Sequence, residues 1–472
     1  MSGPVSTAHL GAGARTVAHR LEVFSDVGWT DLPRRAVSLG PAYKRSMAVL
    51  LLAILLAAPA EPPLPAVLTL PEAVRIFRER SFDLLLADAQ VAVARGEEAT
   101  AGAVPNPALS GSLGRSFGYD PVTCPGCSAL AVGAGLSDQA ALSDVLSGKR
   151  GLRVDAARAA AAAARLSRDD AERTLRLAMQ QAVVDAALQR AQLDLARELF
   201  DFAQKTEQLD QARLRAGAIS EAELARAQVA LLESEQAIDL AQQADRAARA
   251  AVAFLLAVRG PLPDFRIDPE LLEQASRLTL PAADPNQLFA SAAESRPDLR
   301  ALEKQEERAR GALDLARRQR IPEVTLSAQY AQQGTGSTAQ TPPTVTLGAS
   351  LPVPIFYQQQ GEVQRAEADL RAQSLQRDKA AAQLASEVAT AWGAFASSRK
   401  LVDRMRGGLL ERAERARDLT RIQYEKGAAR LFELLDAQRA FAQVRAEYLL
   451  DLHDLWVNLF KLEAAVGREL RT

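Results

Sequence analysis

Two long proline-free runs constrain this chain more than any other feature. Residues 152–260 and 355–472 contain no proline and are dense in Ala, Leu, Arg, Gln and Glu, the strong helix formers. Each run breaks once, at a matching place. The first break reads Arg215-Ala216-Gly217-Ala218-Ile219-Ser220, the second Glu425-Lys426-Gly427-Ala428-Ala429-Arg430. A shift of 210 positions, the separation of Gly217 from Gly427, also aligns Gly151 with Gly361, Leu224 with Leu434 and Gln228 with Gln438. The framework is a duplicated long helical hairpin. An aromatic content of only 5% suits long packed helices better than a compact enzyme core.

The duplication extends beyond the hairpins. A helix over 82–101 is stopped by Pro105-Asn106-Pro107, and a second over 298–318 is stopped by Pro322. Asp83-Leu84 maps onto Asp298-Leu299 with the same offset that maps Pro107 onto Pro322. Residues 61–281 therefore form a first repeat, with its hairpin over 152–259, and 282–472 a second, with its hairpin over 355–466. Gly393, Gly407 and Gly408 should loosen the second long helix locally. Ahead of the repeats, Lys44-Arg45 precede an apolar run over 47–58 and the small-x-small site Ala58-Pro59-Ala60. Residues 44–60 read as a secretory signal, with a short membrane-anchored helix as the alternative. Residues 1–43 read as a non-native or disordered extension.

After each proline stop the periodicity changes from helical to alternating. Val324, Leu326, Ala328 and Tyr330 alternate with polar neighbours, as do Val345, Leu347, Ala349 and Leu351. The spacing predicts strands over about 108–117, 129–136, 323–331 and 344–352. A soluble hairpin with one solvated face would show this pattern. In an exported chain it also matches a transmembrane barrel, apolar toward lipid and polar toward the lumen. Four strands leave two edges, which lipid does not tolerate. Three copies of four strands would close the sheet with twelve. The expected fold is mainly α with a small transmembrane β part: a tandem repeat of long helical hairpins plus two β-hairpins, its trimer forming a 12-stranded β-barrel and a 12-helix α-barrel.

The residues Leu68-Thr-Leu-Pro-Glu-Ala-Val, Pro105-Asn-Pro-Ala-Leu-Ser, Gly148-Lys-Arg-Gly-Leu-Arg and Tyr424-Glu-Lys-Gly…Leu434-Leu-Asp-Ala-Gln-Arg439 carry a resemblance. In their order, spacing and duplication the chain resembles the outer-membrane efflux proteins, the TolC-type outer membrane factors of Gram-negative bacteria. The Gly-Lys-Arg segment looks most like the branch paired with heavy-metal and cation pumps. The resemblance implies a homotrimer in outer-membrane lipid with a periplasmic helical domain. It implies docking to a periplasmic adaptor (membrane fusion) protein and an inner-membrane pump of RND type. The function it implies is a passive exit duct of a tripartite efflux or type I secretion system. The competing reading is a periplasmic coiled-coil adaptor or structural protein without a pore.

No catalytic constellation is present, so neither an enzyme nor a cofactor is expected. After Ala60 the only histidine is His453, and the formal net charge of −1 argues against nucleic acid. Cys124 and Cys127, in Thr-Cys-Pro-Gly-Cys, read as a disulfide closing a turn, with a metal or redox role as the alternative. The hairpin tips are the candidate site: Leu214, Arg215, Gly217, Ala218, Ile219, Ser220, Tyr424, Gly427 and Leu431 either meet an adaptor or simply close turns. Gly217 can take the left-handed helix-ending position. Ser220 and Glu223 form a capping box, for which the Gly427 tip shows no counterpart. Glu411, Glu414, Asp418 and Glu425 share a helical face and could ring a constriction as gate carboxylates. Arg412, Arg415, Arg417 and Arg421 interleave with them, which favours an ordinary salt-bridged face.

Overall fold

The computed structural model describes residues 64–115, 117, 122, 129–278, 284–333 and 343–470. The expected extension 1–43, the signal 44–60, and Cys124 and Cys127 lie outside them. In chain order the elements are β1 (Val67–Leu68), α1 (Leu70–Arg80), α2 (Phe82–Ala101), β2 (Ala108–Arg115), β3 (Leu130–Ser137), α3 (Ala141–Leu146), α4 (Lys149–Arg215) and α5 (Glu221–Leu255). Then follow β4 (Arg266–Ile267), α6 (Leu271–Gln274), α7 (Pro285–Ser295), α8 (Pro297–Arg318), β5 (Thr325–Gln333), β6 (Thr344–Ser350), α9 (Gln360–Arg404), α10 (Leu410–Glu425) and α11 (Leu431–Val466).

The first long helix, α4, is unbroken over 67 residues, about 100 Å at 1.5 Å per residue. Its mate is interrupted. Between α9 and α10 lies a five-residue π-helical turn, Met405–Leu409, in which Gly408 stands at φ 131°. The weakness expected of Gly407 and Gly408 is thus a π-bulge, and the helix runs on below it.

The shorter helices are stacked to match these rods. The carbonyl of Val466 at the end of α11 accepts from Ser295 Oγ at 2.7 Å, and Arg296, which precedes α8, donates to the Ala465 carbonyl at 3.5 Å while pairing with Asp298 of α8 and Glu387 of α9, each at 2.5 Å. Arg259, just past α5, lies 5.2 Å from the Phe82 ring that opens α2.

The four longer strands form one antiparallel sheet in the order β2-β3-β5-β6. Register carries one face straight across it. Leu109 pairs with Leu136, Leu136 with Ala328, and Ala328 with Leu347. Leu113, Val132, Tyr330 and Val345 share that face, whereas Ser110, Ser112, Gly133, Gly135, Ser327, Gln329 and Thr346 lie on the other. Leu109 and Leu347 are 83% and 81% exposed, so this single protomer offers an apolar wall to its surroundings. Strand β5 begins at Thr325 rather than at the expected Glu323. The Val324 amide donates to Ser143 Oγ instead of to a strand, at 3.1 Å, and Glu323 is taken by Lys149 at 3.1 Å.

That lysine belongs to the Gly148-Lys149-Arg150 segment, which is the joint between sheet and helices. Gly148, at φ 77°, starts α4. The buried Lys149 ammonium also donates to the Ile321 carbonyl at 2.7 Å. Arg150 and Arg153 donate to the carbonyls of Gly102 and Ala101 at the end of α2, at 2.8 and 2.9 Å. Charges satisfied by backbone carbonyls in this way are among the stronger hydrogen bonds available.

The main core lies midway along the rods. The α11 residues Leu452, Leu455, Leu459 and Val466, all fully buried, pack with Phe77, Val183, Phe265 and Val252. Trp456 reaches the Leu271 carbonyl through Nε1 at 2.8 Å. A two-residue parallel pairing of β1 with β4 closes this belt, and sequence periodicity gave no sign of it. Strands so short are invisible to a window of several residues.

Candidate functional site

At the tips the expected turn chemistry is in place. Gly217 and Gly427 adopt φ of 70° and 76°, conformations that favour glycine. Ser220 Oγ accepts from the Glu223 amide at 3.3 Å, and the Glu223 carboxylate accepts from the Ser220 amide at 3.0 Å. Those bonds hold the Glu223 carboxyl below its usual range, the Ser220 amide chief among them. The second tip is capped too, against expectation: Glu433 accepts from the Arg430 amide at 3.1 Å. A search for Ser or Thr at the cap overlooks a glutamate that does half of the capping box from the third helical position.

The two tips are tied to each other. Tyr424 of α10 donates its hydroxyl to Asp210 Oδ1 of α4. Arg213, one turn below Asp210, lies 4.4 Å from the Tyr424 ring centre. Its guanidinium donates to the Tyr424 and Glu425 carbonyls at 2.6 and 3.1 Å, where the end of α10 leaves acceptors open. Ala227, Tyr424, Leu431 and Leu434 make a separate small core, with Phe202 and Leu209 packed on it. Asp210 is fully buried, and its Oδ2 finds no hydrogen-bond partner among the described residues. Burial raises the Asp210 carboxyl above its usual range; Tyr424 and Arg213 pull it back, and Glu223 and Glu207 push it further up. The Tyr424 hydroxyl is raised well above its ordinary value, first by burial and then by the carboxylate it bonds. Losing one partner of such a buried bond costs about 1–3 kcal/mol.

This geometry sorts the expected tip residues. Arg215, Gly217, Ala218, Ser220 and Gly427 are exposed, and Leu214 and Ile219 are half-buried. Tyr424 and Leu431, expected at a partner surface, are only 4% exposed. They face the other hairpin because Asp210 and the Ala227–Leu434 core take them inward. Asp210 and Arg213 were missed by sequence reasoning: in the duplicated copy they correspond to Thr420 and Gln423, and no local pattern marks them.

The four acidic residues on α10 do not stand together as free charges. Arg417, half-buried over the Phe441 ring at 3.9 Å, pairs with Asp418 at 2.9 Å and Glu414 at 3.7 Å, and with Glu198 of α4 at 3.0 Å. Glu425 pairs with Arg421 at 3.5 Å, and Glu411 is exposed. His453 lies higher on α11, between Asp185 and Asp454 at 2.5 and 3.0 Å. Burial lowers its pKa, yet these two carboxylates leave it raised overall.

Hundred-ångström helical rods, joined to a four-stranded sheet with one apolar face and tied to each other at the far tips, are the parts of a membrane-anchored channel protein. The model of the family described as outer membrane efflux protein matches residues 74–258 and 288–468. The chain belongs to that family: it is an outer-membrane exit duct of efflux systems, with a periplasmic helical domain, and not an adaptor. The cobalt-zinc-cadmium resistance protein CzcC of Cupriavidus metallidurans is 24% identical over 327 residues, 68% of this chain and 75% of its own. Among solved structures, CusC superposes with a TM-score of 0.68 at 20% identity, over 84% of this chain and 92% of its own. The outer membrane protein VceC of Vibrio cholerae gives 0.66 at 20%, over 85% and 96%. These likenesses bear on the fold.

Proposed function

We propose that three copies close into a 12-stranded β-barrel and a 12-helix α-barrel whose periplasmic end is held shut by the Asp210–Tyr424–Arg213 tie. The tie carries this reading, because among the described residues it is the one buried polar link between the two hairpins at their free ends. Opening is a displacement of the α10–α11 tip from the α4–α5 tip, and contact with a periplasmic adaptor at Leu214, Arg215, Gly217, Ala218, Ile219, Ser220 and Gly427 supplies the energy. An inner-membrane pump of RND type delivers the cargo. The kinship with a cobalt-zinc-cadmium resistance protein supports divalent metal cations as that cargo. Among the described residues no group of three or more His, Cys, Asp or Glu could hold a metal ion, so cargo selection is assigned upstream. Glu411, Glu414, Asp418 and Glu425 then act as a cation-favouring face near the entrance, partly neutralised by Arg417 and Arg421.

Planar-bilayer recording tests this directly. The purified wild-type trimer is expected to conduct mostly in a low state. Tyr424→Phe leaves Asp210 without its donor and should raise the open fraction by about 5- to 150-fold, the equivalent of about 1–3 kcal/mol. Asp418→Asn should weaken cation preference. A Tyr424→Phe channel that gates as wild type would remove the tie from the mechanism.

A further inference from the structure

The two long helices differ in one respect that the duplication does not require. Helix α4 passes from the main core to the tip without a break. In the second copy the same passage contains the π turn Met405–Leu409, with Gly408 at φ 131°. A π turn accommodates one extra residue, and such bulges concentrate where helices bend or work.

Its surroundings make it a boundary between a fixed part and a lever. Val402 above the turn and Met405 at its first position are buried in the main core. Arg399 donates to the Leu278 carbonyl at 2.5 Å, and Arg406 to the Ser276 carbonyl at 3.2 Å. Both carbonyls lie just after α6, in the closing segment of the first repeat, which Trp456 and Tyr448 bind to α11 through Leu271 and Glu273. Below the turn, none of the residues 411–423 is buried, and Leu419 and Ile422 are exposed. What holds α10 to α4 is Arg417 on Glu198 and then the tie at Asp210 and Arg213. Among the described residues a β-carbon at Gly408 would meet only the Arg412 side chain, at 3.6 Å. Glycine is therefore set there by its backbone angle and not by lack of room.

We infer that the Met405–Leu409 π-bulge is the hinge of the duct: α9 stays with the core, and α10, about 24 Å of helix, swings about Gly408 when the tip tie is released. This rests on the exit-duct reading and names the part that moves. Helix α11 has no break and follows by gentle curvature. The first hairpin, with α4 continuous, is the stationary jamb.

Deleting Gly408 removes the extra residue and restores α-helical pairing without turning α10 relative to α9. Gly408→Ala is the milder variant, since an alanine resists the positive φ. Both are made in the full chain, with trimer integrity checked by heat-modifiable migration in detergent. In the Tyr424→Phe background, deletion is expected to cut the open fraction at least tenfold, and Gly408→Ala to cut it several-fold. Gating equal to Tyr424→Phe alone, with the trimer intact, overturns the hinge. A second measurement does not depend on conduction. Spin labels at Lys400 and Glu411, in a chain with Cys124 and Cys127 replaced by Ser, report the distance across the bulge. That distribution should narrow on deletion, and equal widths overturn the hinge. If neither wild type nor Tyr424→Phe conducts while the distribution narrows, the hinge stands and the exit-duct reading is what has failed.

Discussion

Burying Asp210 with one of its oxygens unpartnered among the described residues disfavours the anion, and this gives the tip a direction of response to pH. Its folded-state pKa is raised, by burial first, with Glu223 of α5 and Glu207 of its own helix adding to the shift, and with Tyr424 and Arg213 opposing it. A raised carboxyl binds its proton more readily in the closed tip than in an opened or unfolded one. The closed form is therefore favoured as pH falls through the interval between the ordinary carboxylate pKa and the raised one, and it loses that advantage as pH rises through the raised value. Open fraction should fall on acidification through this interval, by at most tenfold per pH unit for each proton taken up. Asp210→Asn keeps an acceptor for Tyr424 but cannot titrate. Single-channel recording across pH 4 to 8 should find its gating flat in this interval, and an unaltered pH profile would exclude Asp210 as the responsible group.

The sheet makes its own prediction at the scale of the element. Leu347 and Thr346 are neighbours on β6, yet register puts Leu347 beside Ala328 on the apolar face and Thr346 beside Gln329 on the polar one. An arginine on the lipid face near the bilayer midplane costs about 2–4 kcal/mol, and one facing the lumen costs far less. Leu347→Arg should lower folding stability in lipid vesicles by that amount, whereas Thr346→Arg stays near wild type. Equal losses would mean that the two faces have been assigned wrongly. This alternation was legible in the sequence because period two repeats over whole strands, and the long helices were legible because nothing in them interrupts a 3.6-residue pattern. Gly407-Gly408 marked a weak point but not its form, since a π turn and a plain kink share one composition. The tie was illegible for a different reason. Asp210 meets Tyr424 across 214 positions, and the internal repeat pairs it with Thr420, so the duplication that revealed the fold pointed away from the site. Tyr424 itself was found, but as a surface residue, because nothing local says which way a tyrosine at a turn will face.

For the whole molecule the question is what meets the two strand edges. In the order β2-β3-β5-β6 each strand runs opposite to its neighbour, and the number of strands is even. The free edge of β6 is therefore antiparallel to the free edge of β2 on the next copy, and copies can be added around a ring without a parallel joint. Unpaired amides and carbonyls along either edge would cost several kcal/mol each in hydrocarbon, so the edges are expected to find each other before the sheet is stable in lipid. Cysteines placed on the polar face, at Ser110 or Ser112 of β2 and at Thr344 or Thr346 of β6, should then come within the 4.4–6.8 Å Cα separation a disulfide spans for one pairing out of this small set. The background chain carries Cys124→Ser and Cys127→Ser so that only the placed thiols react. Mild oxidation of the membrane-embedded protein should convert that pairing into covalent dimers and trimers on denaturing gels, while cysteines on β3 and β5, both interior to the sheet, stay within one chain. Failure of every β2–β6 pairing to cross-link, in protein that otherwise migrates as a heat-sensitive trimer, would require the copies to associate through their helices alone and would leave the sheet without a closed wall.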